Sequence, residues 1–420
     1  MAIAVVLGLW SLGTQSLWLD EAFSVAAARL PTADLLALLW TSEMHASPYY
    51  LSLHVWLWFG DGEAVVRALS VAFGALAVFA TFHVGKRYGV GWPAALILAV
   101  FPYFIQYEQE ARTYTMFVAG SAISSLLYLR LVERWGIARA IAYVVAAALM
   151  IYIHPLAAMV VVAHAIHLLL VVRRPLPQAL AVYATVGLCW LPMVRFAMSH
   201  SGKIAWIPPT DVDRSVNALL YLGGGSLVAG VLLVMLALGM RRDLPALWLI
   251  VPIVGVFVMS VLVQPVLEPK YMLGVLPAAA VIAARNRPAA IGVLVALSLV
   301  GVVNWYEHGQ KADWRSAAAW VASDVQAGDG VVFAPTYMRM AFGYYARVGD
   351  PLHAARSWSA PDIGGGPTDL AGIYGRQRLW LVEGHGRELP DDVRTALAVF
   401  RVVETRDFGG AAVRVSLLEQ

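Results

Sequence analysis

Along residues 1–305 apolar residues fall in long blocks separated by short polar stretches. A helix needs about 20 consecutive apolar residues to cross a hydrocarbon layer, and blocks near that length predict about eleven transmembrane helices. They lie at about 1–15, 64–84, 90–106, 113–129, 138–153, 156–172, 177–196, 216–239, 245–263, 271–284 and 288–304. From residue 306 the pattern changes to short runs. "DGVVFAP", "RLWLVEG", "FRVVETRDF" and "AAVRVSL" predict strands, and "DWRSAAAWVASDV", "TYMRMAFGYYA" and "DDVRTALAV" predict helices. The expected architecture is a polytopic α-helical membrane protein with a C-terminal α/β domain. The module at 1–305 carries the membrane helices, and the domain at 306–420 is extracytoplasmic.

The polar stretches orient the helices. Basic residues occur at Lys86–Arg87, at Arg130, Arg134 and Arg139, at Arg173–Arg174, at Arg241–Arg242, and at Arg285 and Arg287. These are alternate loops, and the excess of Lys and Arg on cytoplasmic loops places them inside. The N-terminus is then cytoplasmic and the C-terminal domain outside. The outer loops carry "WLDEAFSV", "YEQEART", "IHP", "SGKIAWIPPT" and "QPVLEPKY". The loop at 16–63 is long. Its "TADLLALLW" and "HASPYYLSLHVWLWF" are expected to lie along the membrane surface, because Trp and Tyr favour the interfacial layer.

Composition agrees. Of 420 residues 60% are hydrophobic and 14% charged; soluble domains run at about 45–50% and about 25%. The net charge of +3 is mild and gives no reason to expect nucleic acid. One cysteine, Cys189, excludes an intrachain disulfide, and its apolar neighbours suggest a buried, inert thiol. The first apolar run has no basic residues before it, so it is read as a short span rather than a cleavable leader. No phosphate-cradling glycine fingerprint, HExxH or Cys/His zinc spacing is present, and "GGG" at 364–366 reads as a loop.

The residues able to carry chemistry all fall on the outer side: Asp20 and Glu21, Glu43 and His45, Tyr49 and Tyr50, Glu108, Gln109, Glu110 and Arg112, His154, Lys203 and Trp206, and Glu268, Lys270 and Tyr271. Each has a plainer role. Adjacent carboxylates cap helices, His154-Pro155 makes a turn, lysines snorkel, and His45 with Tyr49 and Tyr50 anchors at an interface. Together they suit one task. A lipid-linked phosphate leaving group needs Lys or Arg, an acceptor hydroxyl needs a carboxylate to take or orient its proton, and a greasy donor needs an apolar groove. His164 and His167, inside a span, are expected to pack with their polar atoms satisfied.

Four stretches carry a resemblance. "LWLDEAFSV" resembles the Asp-Glu motif, in the first external loop, of the GT-C superfamily of polyprenyl-phosphate-sugar glycosyltransferases. "HASPYYLSLHVWLWFGDGEAVVRALSVAFGALAV" resembles the block that follows it. "YEQEARTYTM" resembles Y-x-Q-E-A-R-x-Y, and "EPKYMLGVLPA" resembles P-R-Y-L…P. With "DWR" at the entry to the tail, the likeness covers most of the chain. It is greatest to bacterial mannosyltransferase-like proteins related to protein O-mannosyltransferases and aminoarabinose transferases.

The resemblance implies sugar transfer with inversion to a glycolipid, polysaccharide or protein, Asp20 acting as base with support from Glu21. It places the donor phosphate on Lys270, Arg112, Lys203 and Tyr271. It gives substrate contacts to Glu110, Glu108, His45, Tyr49, Tyr50, His154 and Glu268. Mannose is the sugar favoured by analogy. No cofactor is required, a divalent cation is left open, and a bacterial inner membrane is the expected location. Two departures stand out: "HASPYY" lacks the usual double proline, and Lys270 replaces a common Arg, losing the bidentate fork. A transporter or flippase of lipid-linked sugars is the rival, but its key polar groups belong near mid-membrane in repeated halves, and no repeat is visible here. A non-catalytic relative whose tail recruits envelope partners is a second rival.

Overall fold

The structure is a computed structural model. It describes the chain except residues 173–175, 310, 335, 347–372, 374, 385–388, 390 and 410–412, together with the side chains of residues 176, 203 and 336. The chain divides into two compact units. One comprises Met1–Trp10, Thr32–Trp58 and Ala64–His308; the other comprises Ser11–Pro31, Phe59–Glu63 and Gly309–Gln420. The sequence pattern assigned the whole 16–63 loop to the membrane module. In the structure residues 11–31 and 59–63 pack instead with the tail.

The first unit is helical. Among the described residues six helices are long and apolar enough to cross a membrane: Glu63–Lys86, Tyr114–Glu133, Pro155–Val172, Pro177–Ser199, Leu244–Leu262 and Pro288–His308. A bent pair, Val212–Leu222 and Ser226–Gly239, makes a seventh if counted as one span, turning 82° at its break. Gly224 and Gly225, at φ of 85° and 99°, supply that turn.

The other expected spans are shorter or broken. The first helix covers only Ala2–Leu9. The block at 90–106 splits into Gly91–Ala99 and Pro102–Glu108, because Pro102 cannot donate to the preceding turn and starts a new helix. The block at 271–284 begins as a 3₁₀ turn, Pro269–Val275, before the helix Leu276–Ala283. Ile137–Ile153 is a single apolar helix of 17 residues.

Several buried polar groups inside this unit are paired. His164 shares hydrogen bonds with Ser125 Oγ (2.9 Å) and the Tyr143 hydroxyl (3.1 Å) and stacks on Tyr128. The Tyr128 hydroxyl lies 2.8 Å from His167 Nδ1. Both histidines thus have the satisfied packing role expected of them. Trp248 Nε1 donates to the Gly274 carbonyl at 2.9 Å, and Ser121 Oγ donates to the same oxygen at 2.7 Å. A Cβ at Gly274 would come within 2.5 Å of the Phe117 ring, so the backbone there needs glycine.

Cys189 departs from expectation. It is exposed on the Leu176–Ser199 helix, beside the exposed Leu188 and Leu191. An apolar run alone does not distinguish a side chain facing lipid from one facing protein.

The second unit is built on a four-stranded sheet: β1 Gly330–Ala334, β2 Arg378–Gly384, β3 Arg401–Phe408 and β4 Val413–Glu419, in the order β1-β2-β4-β3. β1 and β2 are parallel, and the other pairs are antiparallel. β2 is central and apolar on both faces, which its sequence predicts. Leu379 and Leu381 pack with Val393, Ala396 and Leu397 of the Asp391–Leu397 helix. Trp380 meets Trp320 of the Trp314–Asp324 helix edge to face at 5.1 Å. All four predicted strands and all three predicted helices of the tail are present, with Arg339–Tyr345 as the middle helix.

Candidate active site

Candidate residues occur in both units. In the first, three short segments bring cations and aromatic rings together. His45 lies on the 3₁₀ turn Met44–Ala46, with Nε2 3.6 Å from a Glu43 carboxylate oxygen. Tyr49 and Tyr50 begin the Ser47–Trp56 helix and are buried. The Tyr50 hydroxyl donates to Glu43 (3.4 Å) and accepts from Arg112 Nη1 (3.4 Å). Tyr49 bonds Ser70 Oγ at 3.1 Å, and Ser70 Oγ donates to the Arg112 carbonyl at 3.4 Å. The "HASPYY" segment thereby holds the Arg112 loop at both its backbone and its side chain.

His154 occupies the break between the Ile137–Ile153 helix and the following 3₁₀ turn, where its Nδ1 accepts from the Leu156 N–H. Its ring stacks on Phe117 at 5.1 Å and lies 4.8 Å from Tyr271. Burial, then the positive fields of His45, Lys270 and Arg112, push the imidazole down to about 3. His154 is therefore neutral at physiological pH, able to accept or donate a hydrogen bond but not to supply charge.

Lys270 has three rings around its ammonium: Trp206 at 5.7 Å, and Tyr114 and Tyr271 each at 5.9 Å. These distances fall within the range of cation–π attraction. The surroundings are those of a positive charge held between aromatic walls, rather than a lysine snorkelling to a surface. Glu268, two residues earlier, is ion-paired to Arg214, which also donates to the Leu267 carbonyl at 3.2 Å. Its carboxylate organises the chain leading into Lys270. The side chain of Lys203 is outside the described residues.

The "YEQEART" segment separates its two glutamates. Glu110 is nearly buried, whereas Glu108 has no exposure at all. Neither Glu108 oxygen has a hydrogen-bond partner among the described residues. Its carboxyl packs where a Cβ at Gly74 would stand, and Oε2 lies 3.2 Å from the Cβ position of Gly8. Burial pushes this carboxyl well above the usual range. Glu108 thus sits at a helix crossing, where burial favours its protonated form, rather than being presented to substrate. Between the two, Gln109 donates to the Trp10 carbonyl at 2.7 Å and accepts from Trp305 Nε1 at 3.1 Å.

In the second unit Asp20 and Glu21 open the Leu19–Ala28 helix. Glu21 Oε2 accepts from the Trp18 N–H at 3.2 Å, closing the helix start. The same oxygen is 3.2 Å from Lys311 Nζ. Glu21 has no exposure, and the Lys311 side chain has 9%. Asp20 is half-buried, and its carbonyl accepts from Ser24 Oγ.

Three residues escaped the sequence reading. Lys311 is 290 positions from its partner, with nothing local to mark it. Arg214, partner of Glu268, begins a helix and looks like an ordinary surface residue there. Arg67 left a signal: a charged residue inside an apolar span, now 2% exposed.

The architecture is that of a polytopic helical membrane protein with a C-terminal sheet domain, as the sequence pattern predicted. Over nearly its whole length the chain superposes on ArnT from Cupriavidus metallidurans in the apo state. That likeness has a TM-score of 0.65 at 15% identity and covers 99% of this chain and 96% of that one. ArnT bound to undecaprenyl phosphate gives a TM-score of 0.62 with the same identity and coverage. No protein-family model matches the chain, and no curated protein matches it in sequence.

Proposed function

We propose that this protein is a membrane glycosyltransferase that moves a sugar from a polyprenyl-phosphate donor to an extracytoplasmic acceptor, with inversion. The observation that carries the proposal is the Lys270 ammonium between Trp206, Tyr114 and Tyr271, with Lys270, Arg112 and His45 all close enough to act on neutral His154. It occurs in a fold shared with a protein solved with undecaprenyl phosphate. A phosphate leaving group gains most from cations held ready in a partly dry site, since they need no rearrangement as charge develops. Lys270 supplies a point charge and Arg112 a planar fork. Tyr271 walls the site, and Lys203 is assigned to the phosphate by resemblance.

Asp20 is the proposed base. It takes the proton of the acceptor hydroxyl as that oxygen attacks the anomeric carbon, and the lipid phosphate departs with the bonding electrons. Glu21 supports Asp20; Glu110, Tyr49, Tyr50, His45 and His154 shape the substrate site. Mannose is the sugar favoured by the sequence resemblance, and the acceptor is a glycolipid, polysaccharide or protein. The reaction takes place at the outer face of a bacterial inner membrane, with the N-terminus cytoplasmic. No cofactor is required.

Lys270→Met and Arg112→Gln test the phosphate assignment. Each removes a charge-assisted contact of about 1.5–3 kcal/mol, so binding of undecaprenyl phosphate should weaken roughly 10–150-fold. Unchanged binding in both variants would remove the cluster from the donor site. A chelator arm in the same assay reads any dependence on a divalent cation.

A further inference from the structure

Glu21 presents a problem that its own neighbourhood in the sequence does not solve. A carboxylate with no solvent exposure needs a counter-charge and further hydrogen bonds, or its burial is costly. The Trp18 N–H supplies one hydrogen bond. The charge comes from Lys311, at the entry to the C-terminal domain.

That entry is fastened to the Asp-Glu segment by several independent contacts. Ser16 Oγ donates to the Ala312 carbonyl at 2.6 Å and accepts from the Trp314 N–H at 3.1 Å. The Leu17 N–H donates to the Tyr345 hydroxyl at 2.6 Å, and that hydroxyl donates to Glu63 at 3.1 Å. Arg315 pairs with the same Glu63 carboxylate at 2.7 Å and donates to the Gly13 carbonyl at 3.1 Å. On the far side, the turn at Gly409 closes on the backbone of Lys311 and Asp313. A Cβ there would lie 2.7 Å from the Lys311 carbonyl and 2.6 Å from the Asp313 nitrogen, and φ is +64°. Lys311 is therefore held from behind by the sheet and presents its ammonium to Glu21.

We propose that Lys311 is the positioning residue of the Asp20–Glu21 turn, so that the C-terminal domain is a working part of the catalytic apparatus. The Lys311–Glu21 pair fixes the first turn of the Leu19–Ala28 helix, and with it the backbone that carries Asp20. Lys311 touches no substrate; it acts through Glu21. This inference rests on the assignment of Asp20 as base.

The test uses the full-length protein in lipid nanodiscs. Release of undecaprenyl phosphate is followed from undecaprenyl-phosphate mannose, arabinose and aminoarabinose, with water or membrane glycolipid as acceptor. Lys311→Met should lower kcat at least ~10-fold and leave the donor KM within about 2-fold, the split expected of a group that orders the reacting base rather than binds the donor. Lys311→Arg should recover most of the loss. Glu21→Gln combined with Lys311→Met should be no slower than Lys311→Met alone, because the two residues act as one unit. If Lys311→Met does not fold, Lys311→Arg and the double variant, which leaves no lone buried charge, carry the same comparison.

Wild-type kcat in folded Lys311→Met, a loss confined to KM, or additive losses in the double variant would each overturn the proposal. Asp20→Asn, run in parallel, separates the two failures. If Asp20→Asn is inactive while Lys311→Met is normal, only the positioning role falls. If Asp20→Asn is fully active, or wild type releases no lipid phosphate from any donor, the assignment beneath it falls.

Discussion

Glu21 and Glu108 are both glutamates without solvent exposure, each beside a second carboxylate in a short polar motif. Their surroundings are opposite. Glu21 has an ammonium and a backbone N–H on the same oxygen. Glu108 has no hydrogen-bond partner on either oxygen among the described residues and packs against Gly8 and Gly74. The same side chain is thus an ion-pair member in one place and a carboxyl whose burial favours the protonated form in the other. Burial alone does not decide between them; a cation delivered from elsewhere in the chain does.

Disturbing each carboxyl's surroundings in turn gives the sharpest contrast. Glu21→Gln takes the carboxylate charge from beside the Lys311 ammonium and should cost about 3 kcal/mol, read as a lower melting temperature. A shift no larger than that of a surface variant would show the pair to be unimportant. Gly74→Ala breaks the other side, by placing a methyl group where the Glu108 carboxyl stands. Overpacking there should cost about 1–3 kcal/mol. Combining it with Glu108→Ala should recover part of the loss.

The pH dependence separates the two regions further. The folded state favours protonated Glu108, so its contribution is complete below the ordinary value of 4.5 and declines as pH rises. The slope is about 1.4 kcal/mol per pH unit until the folded value is passed. Glu108→Gln should flatten that decline in the melting temperature. His154 runs the other way: held neutral down to about 3 against an ordinary 6.5, it costs stability as pH falls through that interval. His154→Gln should flatten the acid side and leave the alkaline side alone. The smallest effect is Glu108→Gln at pH about 4, within about 1 kcal/mol of wild type, because both side chains are then neutral in the folded and the unfolded chain. A loss of several kcal/mol there would mean that the carboxyl makes a contact an amide cannot replace.

How much of this was legible in the sequence follows from the range of the interactions. Short apolar and β-branched runs bounded by turn residues marked the four strands of the tail, and strand geometry then sends Leu379 and Leu381 one way and Trp380 the other. The outer-loop motifs stood out because polar residues are conspicuous in an apolar chain. Span lengths were less legible: Pro102 and Pro277 start helices inside blocks that hydropathy reads as continuous. Cys189 faces outward because a run apolar on every side does not say which side is protein. The grouping of residues 11–31 with the tail depends on Ser16, Tyr345 and Lys311 finding partners some 300 positions away, and no local pattern announces such pairs.

The most direct test of the proposed chemistry is donor cleavage by Asp20→Asn beside wild type, with the same undecaprenyl-phosphate sugars and acceptors. Asn keeps the shape of the side chain and removes its capacity to take a proton. Turnover should fall at least ~10²-fold while undecaprenyl phosphate binds as before. An Asp20→Asn protein that turns over at the wild-type rate would contradict the assignment of Asp20 as base.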